Sequence, residues 1–401
     1  MVPKNKICII SVGYNRPDAT QRQLFSLAAA DYLGDSVDLL ISIDKGDRQD
    51  DIVRVSEQFQ WLHGEKVIRA FPTRQGLRSH ILQCGDISEQ YAAVVVLEDD
   101  VTVSPVFYQY VKEAIRFYQN DERIAGISLY KHCVNCNCTT FFEPDCNGYD
   151  TFLMQYAQSW GECWTSKMWR NFKQWYEENQ DEKFLLETHR IFRQIPCSIR
   201  NWGNQSWLKF FMAYIVDKDL YFVYPYQALS TNHSEKGEHN SSSSNAYQVS
   251  MLSGKKNYCF ASFENAVKYD IFMERMDYIV TGYENQKVVL DLYGTKEDFS
   301  NADVLISSQQ LPYKLLESWE LKYRPHEVNC KYPVSGHGLY VYDLKCSGKK
   351  PRKNTVTVRT RYDVRASSCR NLLKLVLFEI KTRYLYRIKK LLRKQIQNDK
   401  K

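Results

Sequence analysis

Short apolar runs alternate with amphipathic stretches over roughly the first 130 residues. The runs at 6–12 (KICIISV), 37–43 (VDLLISI), 66–70 and 93–97 have strand length, and the last, AVVVL, suits a strand buried on both faces of a sheet. Between them, 18–30, 51–60 and 78–90 suit helices, with Asp18 in position to cap the first. Residues 105–120 place Val106, Tyr110, Ala114 and Phe117 at helical spacing, and 124–129 read as a further strand. Strands alternating with helices predict an α/β fold with a mostly parallel sheet flanked by helices. From 148 to 253 the pattern turns aromatic-rich and loop-rich, with a serine run at 241–244. A smaller α+β unit is expected over 254–348, with short strands at 288–293, 302–307 and 339–342. In the last stretch, a helix over 372–394 spaces Leu373, Leu377, Ile380, Tyr384, Ile388 and Leu391 by threes and fours. The expected domains are therefore 1–253, 254–348 and a basic amphipathic tail, 349–401.

Charge sharpens this division. Residues 349–401 carry 18 Lys and Arg against 3 Asp and Glu, net +15, while the rest of the chain carries 36 against 44, net −8. A basic amphipathic helix beside an acidic body points to an anionic membrane surface. Packing on the protein's own core and nucleic-acid binding are the alternatives, and no nucleic-acid partner is expected. No apolar run reaches the length of a membrane span, and MVPKNKICIISVGYN has no secretory leader pattern. The expected location is cytoplasmic, peripheral to the inner face of the membrane, with the 12 Cys as reduced thiols.

The densest chemistry is Glu98-Asp99-Asp100, directly after the apolar run at 93–97. Ligands of open α/β sheets bind outside the carboxyl ends of the strands. Adjacent carboxylates repel unless a cation or donors compensate, and their oxygens suit Mg²⁺ or Mn²⁺. A solvated turn is the simpler alternative. Asn15-Arg16 and Asp44 follow the first and second strands, so one sheet edge would collect an arginine, a lone acid and the triplet. That set suits a nucleoside diphosphate, with Arg16 on phosphate and Asp44 on the nucleoside. G-x-G-x-x-G, P-loop and H-E-x-x-H motifs are missing, which argues against dinucleotide, ATPase and zinc-protease chemistry. His132, Cys133, Cys136, Cys138 and Cys146 cluster without the paired spacing of zinc sites; a loop with reduced thiols is preferred.

GYNRP, ISIDKGD and VVVLEDDVTVSPVFYQYV together resemble glycosyltransferases of GT-A fold, N-acetylglucosaminyltransferase I and bacterial family 2-like enzymes in particular. The resemblance spans roughly residues 5–250. It implies a Rossmann-like GT-A domain in which Asn15, Arg16, Asp44, Glu98 and Asp99 bind the donor. It also implies that Asp100 touches Mn²⁺ or Mg²⁺. Segment 159–164 (SWGECW) is similar to the acceptor-side Trp-Gly segment. Segment 230–239 (STNHSEKGEH) is similar to the loop that closes over the donor, with His239 as its metal- or diphosphate-facing histidine. Inverting members carry an acid before a Trp as general base, whereas 198–207 (SIRNWGNQSW) has none. Glu162 is the nearest alternative carboxylate. The implied reaction is metal-dependent, inverting transfer of a sugar from a nucleotide-sugar, UDP-linked by expectation, to a surface-glycan or lipid-linked acceptor. A non-catalytic GT-A-fold binding or scaffold protein is the alternative that the missing acid supports. A nucleotidyltransferase is a third, without its usual Gly-rich, Lys-containing loop.

Overall fold

The computed structural model describes residues 4–180, 191, 194–203, 205–234, 245–351, 355–364, 368, 370–381 and 384. The first half follows the expected alternation: β1 (Lys4–Gly13), α1 (Pro17–Ala28), β2 (Asp38–Ile43), α2 (Gln49–Gln58), β3 (Lys66–Ala70), α3 (Leu77–Gly85) and β4 (Tyr91–Glu98). The acidic turn leads into β5 (Val101–Val103), then α4 (Phe107–Tyr118) and β6 (Ile124–Ser128). Asp18 does not cap α1. The helix opens at Pro17, whose missing N–H and fixed φ suit a first turn, so Arg16 takes the cap position without a side-chain cap.

The stretch read as loop-rich supplies three more strands to the same sheet, and a fourth, at 268–269, comes from the stretch expected to begin the separate unit. After a small hairpin, β7 (Val134–Asn135) and β8 (Thr140–Phe141), come β9 (Thr151–Met154), β10 (Glu162–Thr165), α5 (Ser166–Asn179), α6 (Trp207–Asp217), β11 (Tyr221–Pro225), β12 (Ser230–Asn232) and β13 (Lys268–Tyr269). The strand order is β13-β9-β11-β6-β10-β4-β1-β2-β3. β1, β2, β3 and β4 are mutually parallel, and β10 lies antiparallel between β4 and β6. The sheet is thus mixed and mostly parallel, flanked by helices, as the α/β class requires. β10 enters so centrally because its four residues, Glu162 included, are buried on both faces. Trp164, Trp169, Trp207 and Phe211 pack on one another beneath it, with Trp164 and Phe211 centroids 5.7 Å apart.

A second, four-stranded sheet follows: β14 (Val288–Asp291), β15 (Val304–Ser307), β16 (Tyr313–Glu320) and β17 (Gly338–Ser347), ordered β14-β15-β17-β16. α7 (Thr355–Asp363) packs beside β17, and 370–381 is again helical.

Candidate functional site

The carboxyl ends of β1, β2 and β4 open on one cleft of about 690 Å³. Its lining includes Asn15, Arg16, Asp44, Glu98, Asp99 and Asp100, so residues up to 85 positions apart in sequence meet there. Parallel pairing of β1 with both β2 and β4 brings this about, because all three strands then end on the same edge.

The acidic turn is held from three sides. Tyr14 N–H donates to Asp99 Oδ2 at 3.2 Å, Arg16 Nη1 to Asp100 Oδ2 at 3.1 Å, and Asn232 Nδ2 to Asp100 Oδ1 at 3.0 Å. Arg16 Nη2 also donates to Asp99 Oδ1. Every oxygen of Asp99 and Asp100 therefore accepts a protein N–H. Asn15, with φ +56°, turns the chain so that Tyr14 and Arg16 both face these acids. Gln23, buried on α1, donates to the carbonyls of Glu98 and Val101 and accepts from Ser11 Oγ at 2.5 Å. Pairing of β5 with β12 brings Asn232 beside Val101.

Burial raises the Asp99 carboxyl to about 6; Arg16 opposes the shift and Asp100 adds to it. Burial, then repulsion from Asp100 and Asp99, raises Glu98 to about 8. Burial works against the Arg16 charge, but Asp99 and Asp100 outweigh it and hold the guanidinium protonated. The triplet is thus a cluster whose charge is offset by one arginine.

Asp44 is 4% exposed. It accepts from the backbone N–H groups of Lys45 at 2.8 Å, Gln75 at 2.7 Å and Gly76 at 3.0 Å. It therefore ties the end of β2 to the loop that starts α3, and turns that loop's Arg74 toward the cleft. The Arg74 guanidinium lies 4.7 Å from the Tyr14 ring centroid. Gly46 is required beside it, since a Cβ there would lie 2.2 Å from Asn15 Oδ1.

The opposite wall is aromatic, lined by His132, Tyr156, Trp160, Trp202 and Tyr247 with Cys136, Gln158 and Ser159. Trp160 lies between Tyr130 and Tyr247, at centroid distances of 4.8 and 4.9 Å. Tyr130 OH donates to the Tyr247 carbonyl at 2.9 Å and fixes that edge. Among the described residues, buried His132 Nε2 has no hydrogen-bond partner, and burial holds the ring neutral, its pKa down at about 3. The sequence singled out His132 only within a cysteine cluster; the clue to its place was its position just past the end of a sheet strand. The neighbouring thiols take separate partners: Cys133 faces the Ala246 carbonyl, Cys136 the His132 ring and Cys138 the Thr140 hydroxyl. Among the described residues, no three His, Cys, Asp or Glu side chains converge as metal ligands.

Glu162, expected as the general base, is fully buried in β10, where it pairs with Val96 and Ser128 and does not line the cleft. Among the described residues, neither carboxylate oxygen finds a hydrogen-bond partner. Burial, followed by repulsion from Glu98, pushes its pKa well above the ordinary carboxylate range. His239 lies outside the described residues.

A family model described as the SPBC1E8.03c C-terminal domain matches residues 18–180. No curated protein matches the chain in sequence. The fold is similar to S. aureus TarS 1-349 in complex with UDP-GlcNAc, at 15% identity and TM-score 0.35, over 58% of this chain and 60% of that one. It is also similar to the longer S. aureus TarS chain, at 13% identity and TM-score 0.32, over 56% and 36%. The mannosyltransferase PcManGT from Pyrobaculum calidifontis, in complex with GDP-Man and Mn²⁺, matches at 13% identity and TM-score 0.30, over 42% and 46%. The chain thus spans between 36% and 60% of the length of these structures. At such distances, the residues of the cleft itself must carry any functional conclusion.

Proposed function

We propose that the cleft is the active site of a glycosyltransferase that moves a sugar from a nucleotide-sugar, UDP-linked in the first instance, to a carbohydrate-bearing acceptor. The observation that carries this is the convergence of Arg16, Asp44 and the Glu98–Asp100 acids at three parallel strand ends, facing an aromatic wall. Tyr14 and Arg74 offer a stacking pair on the Asp44 side, where a base and ribose fit. Arg16 sits where a diphosphate would need its charge offset. Trp160 and Tyr247 present ring faces of the kind that pack on the apolar faces of sugars.

The acidic turn would take a divalent cation if Arg16 turned from Asp99 and Asp100 to the diphosphate, since every oxygen of the two acids accepts a protein N–H here. Two carboxylates completed by substrate phosphate oxygens and water are a usual Mg²⁺ environment. Asp100 and Asp99 would hold the ion, and it would offset the charge that builds on the diphosphate as it leaves. In the transfer itself, an acceptor hydroxyl oxygen bonds to the anomeric carbon, the bond from that carbon to the diphosphate breaks, and the hydroxyl proton is released. The resemblance favours inversion at that carbon.

The test is thermal melting with UDP-GlcNAc, UDP-glucose and GDP-mannose, each with and without Mn²⁺, followed by assay for donor hydrolysis. Ligand bound to the folded state alone raises the melting temperature. A shift plus slow hydrolysis is the expected result, and no shift with any donor would sink the proposal. A specific observation favours the scaffold alternative: Arg16 already satisfies the acids, and 198–207 offers no carboxylate. Donor binding with no turnover, even when varied glycan acceptors are added, would select it.

A further inference from the structure

The basic segment divides into two parts of opposite character. In α7, Tyr362 is 3% exposed and its ring lies 5.0 Å from that of His326. Arg324 Nη2 donates to the carbonyls of Tyr362 at 2.7 Å and Asp363 at 3.0 Å. This part is docked on the second sheet. In the helical stretch 370–381, by contrast, Leu373, Leu375, Val376, Leu377, Phe378 and Ile380 are each 52–62% exposed.

At about 100° per residue, Leu373, Val376, Leu377 and Ile380 share one side while Leu375 and Phe378 fall on the other. The single stripe expected from the sequence is therefore widened to most of the circumference. Helices apolar nearly all round are ordinarily covered by protein or lipid. No described helix is long and apolar enough to cross a membrane. The following residues, 381–401, carry nine Lys and Arg against one Asp.

We propose that the helix at 370–381 docks the protein on an anionic lipid surface at the acyl-chain boundary, with the Lys and Arg that follow it in the sequence supplying charge for the head groups. An apolar helix joined to a cationic cluster matches both layers of such a surface. Nucleic acid would satisfy the charge and leave the apolar side chains in water. A second copy would cover the apolar side chains but bring two net +9 segments together. This inference is independent of the reaction catalysed.

The test is flotation of the full chain with phosphatidylcholine vesicles, with and without about 30% phosphatidylglycerol, at low salt and at about 0.5 M salt. Binding should require the anionic lipid and weaken about tenfold or more in high salt. The triple variant L373E/V376E/L377E should lose flotation while keeping its melting temperature, because the replaced side chains are exposed. A second variant, K389Q/K390Q/R393Q/K394Q, should lose mainly the salt-sensitive part. The proposal is overturned if the wild-type chain fails to float, or if the triple variant floats equally well. It is also overturned if the wild-type chain is a dimer that the triple variant makes monomeric without any vesicle binding.

Discussion

Arg16 is the residue on which the cleft's electrostatics turn, because it alone supplies formal positive charge to Asp99 and Asp100 among their hydrogen-bond partners given above. Removing one partner of a buried ion pair leaves an uncompensated charge, at a cost of about 3–5 kcal/mol. Arg16→Gln should therefore lower the melting temperature markedly, and adding Asp99→Asn should restore part of the loss. A single variant melting with the wild type would show that the acids are neutralised by other means. Asp100→Asn leaves one acceptor oxygen for two donors, Asn232 Nδ2 and Arg16 Nη1, so it gives up one of these hydrogen bonds and should lower the melting temperature less than Arg16→Gln does. It should weaken Mn²⁺-dependent UDP-sugar binding at least tenfold by calorimetric titration. Glu162 offers a separate, pH-based check. Its folded pKa is raised, so above the unfolded value near 4.5 the folded state holds a proton that the unfolded state gives up. Stability from this group is thus present at low pH and lost as pH rises, by up to about 1.4 kcal/mol per pH unit. The melting temperature of Glu162→Gln relative to wild type should climb steadily from pH 5 to pH 8. A flat difference would mean that Glu162 is already ionised in the fold.

At the scale of elements, the βα units were legible because each strand is an apolar run and each helix has its own period. The β3 bounds coincide with the expected 66–70, and β2 and β6 differ by a single residue at one end. β9, β10 and β11 were not legible, since short fully buried strands rich in Phe, Tyr and Trp carry no alternation to distinguish them from packed loops. The acidic half of the cleft could be read because strand ends are a known place for ligands. Of its aromatic half, the resemblance singled out only the segment 159–164 with Trp160; Tyr247 meets Trp160 only through β10 and the chain beyond β12. Gln23 was missed for a similar reason. Only the fold reveals that a polar residue on the buried face of α1 clamps the acidic turn. Gln23→Leu leaves the Glu98 and Val101 carbonyls and Ser11 Oγ without this partner, a loss of about 1–3 kcal/mol. Chemical denaturation should register that loss, accompanied by weaker donor binding as the turn loosens. Unchanged stability would show that water replaces the amide at no cost.

Across the whole molecule, the cleft-bearing sheet and the second sheet are joined by a buried polar network rather than by apolar contact alone. Lys296 Nζ lies 2.5 Å from Asp270 Oδ2, and Tyr293 N–H donates to Glu274 Oε1 at 2.7 Å. Asp291 Oδ1 accepts from the backbone N–H groups of Thr295 and Lys296, and its other oxygen accepts from Ser307 Oγ at 2.6 Å. Asp270 and Glu274 follow β13 of the first sheet, whereas Asp291 ends β14 of the second, so Lys296 is the cation shared by both. Burial works against the Lys296 charge, and Asp270 and Glu274 outweigh it. α7 rests on this second sheet, so the network also links α7 to the cleft-bearing sheet. Lys296→Met fills similar volume but leaves Asp270 and Asp291 without their cation, at an expected cost of about 3–5 kcal/mol. In scanning calorimetry the variant should unfold in two steps, the second sheet first, with the UDP-sugar-dependent rise in melting temperature kept only by the later step. If the variant instead melts in one transition at the wild-type temperature, the two sheets are held together by their apolar packing, and the charge network contributes nothing to the coupling.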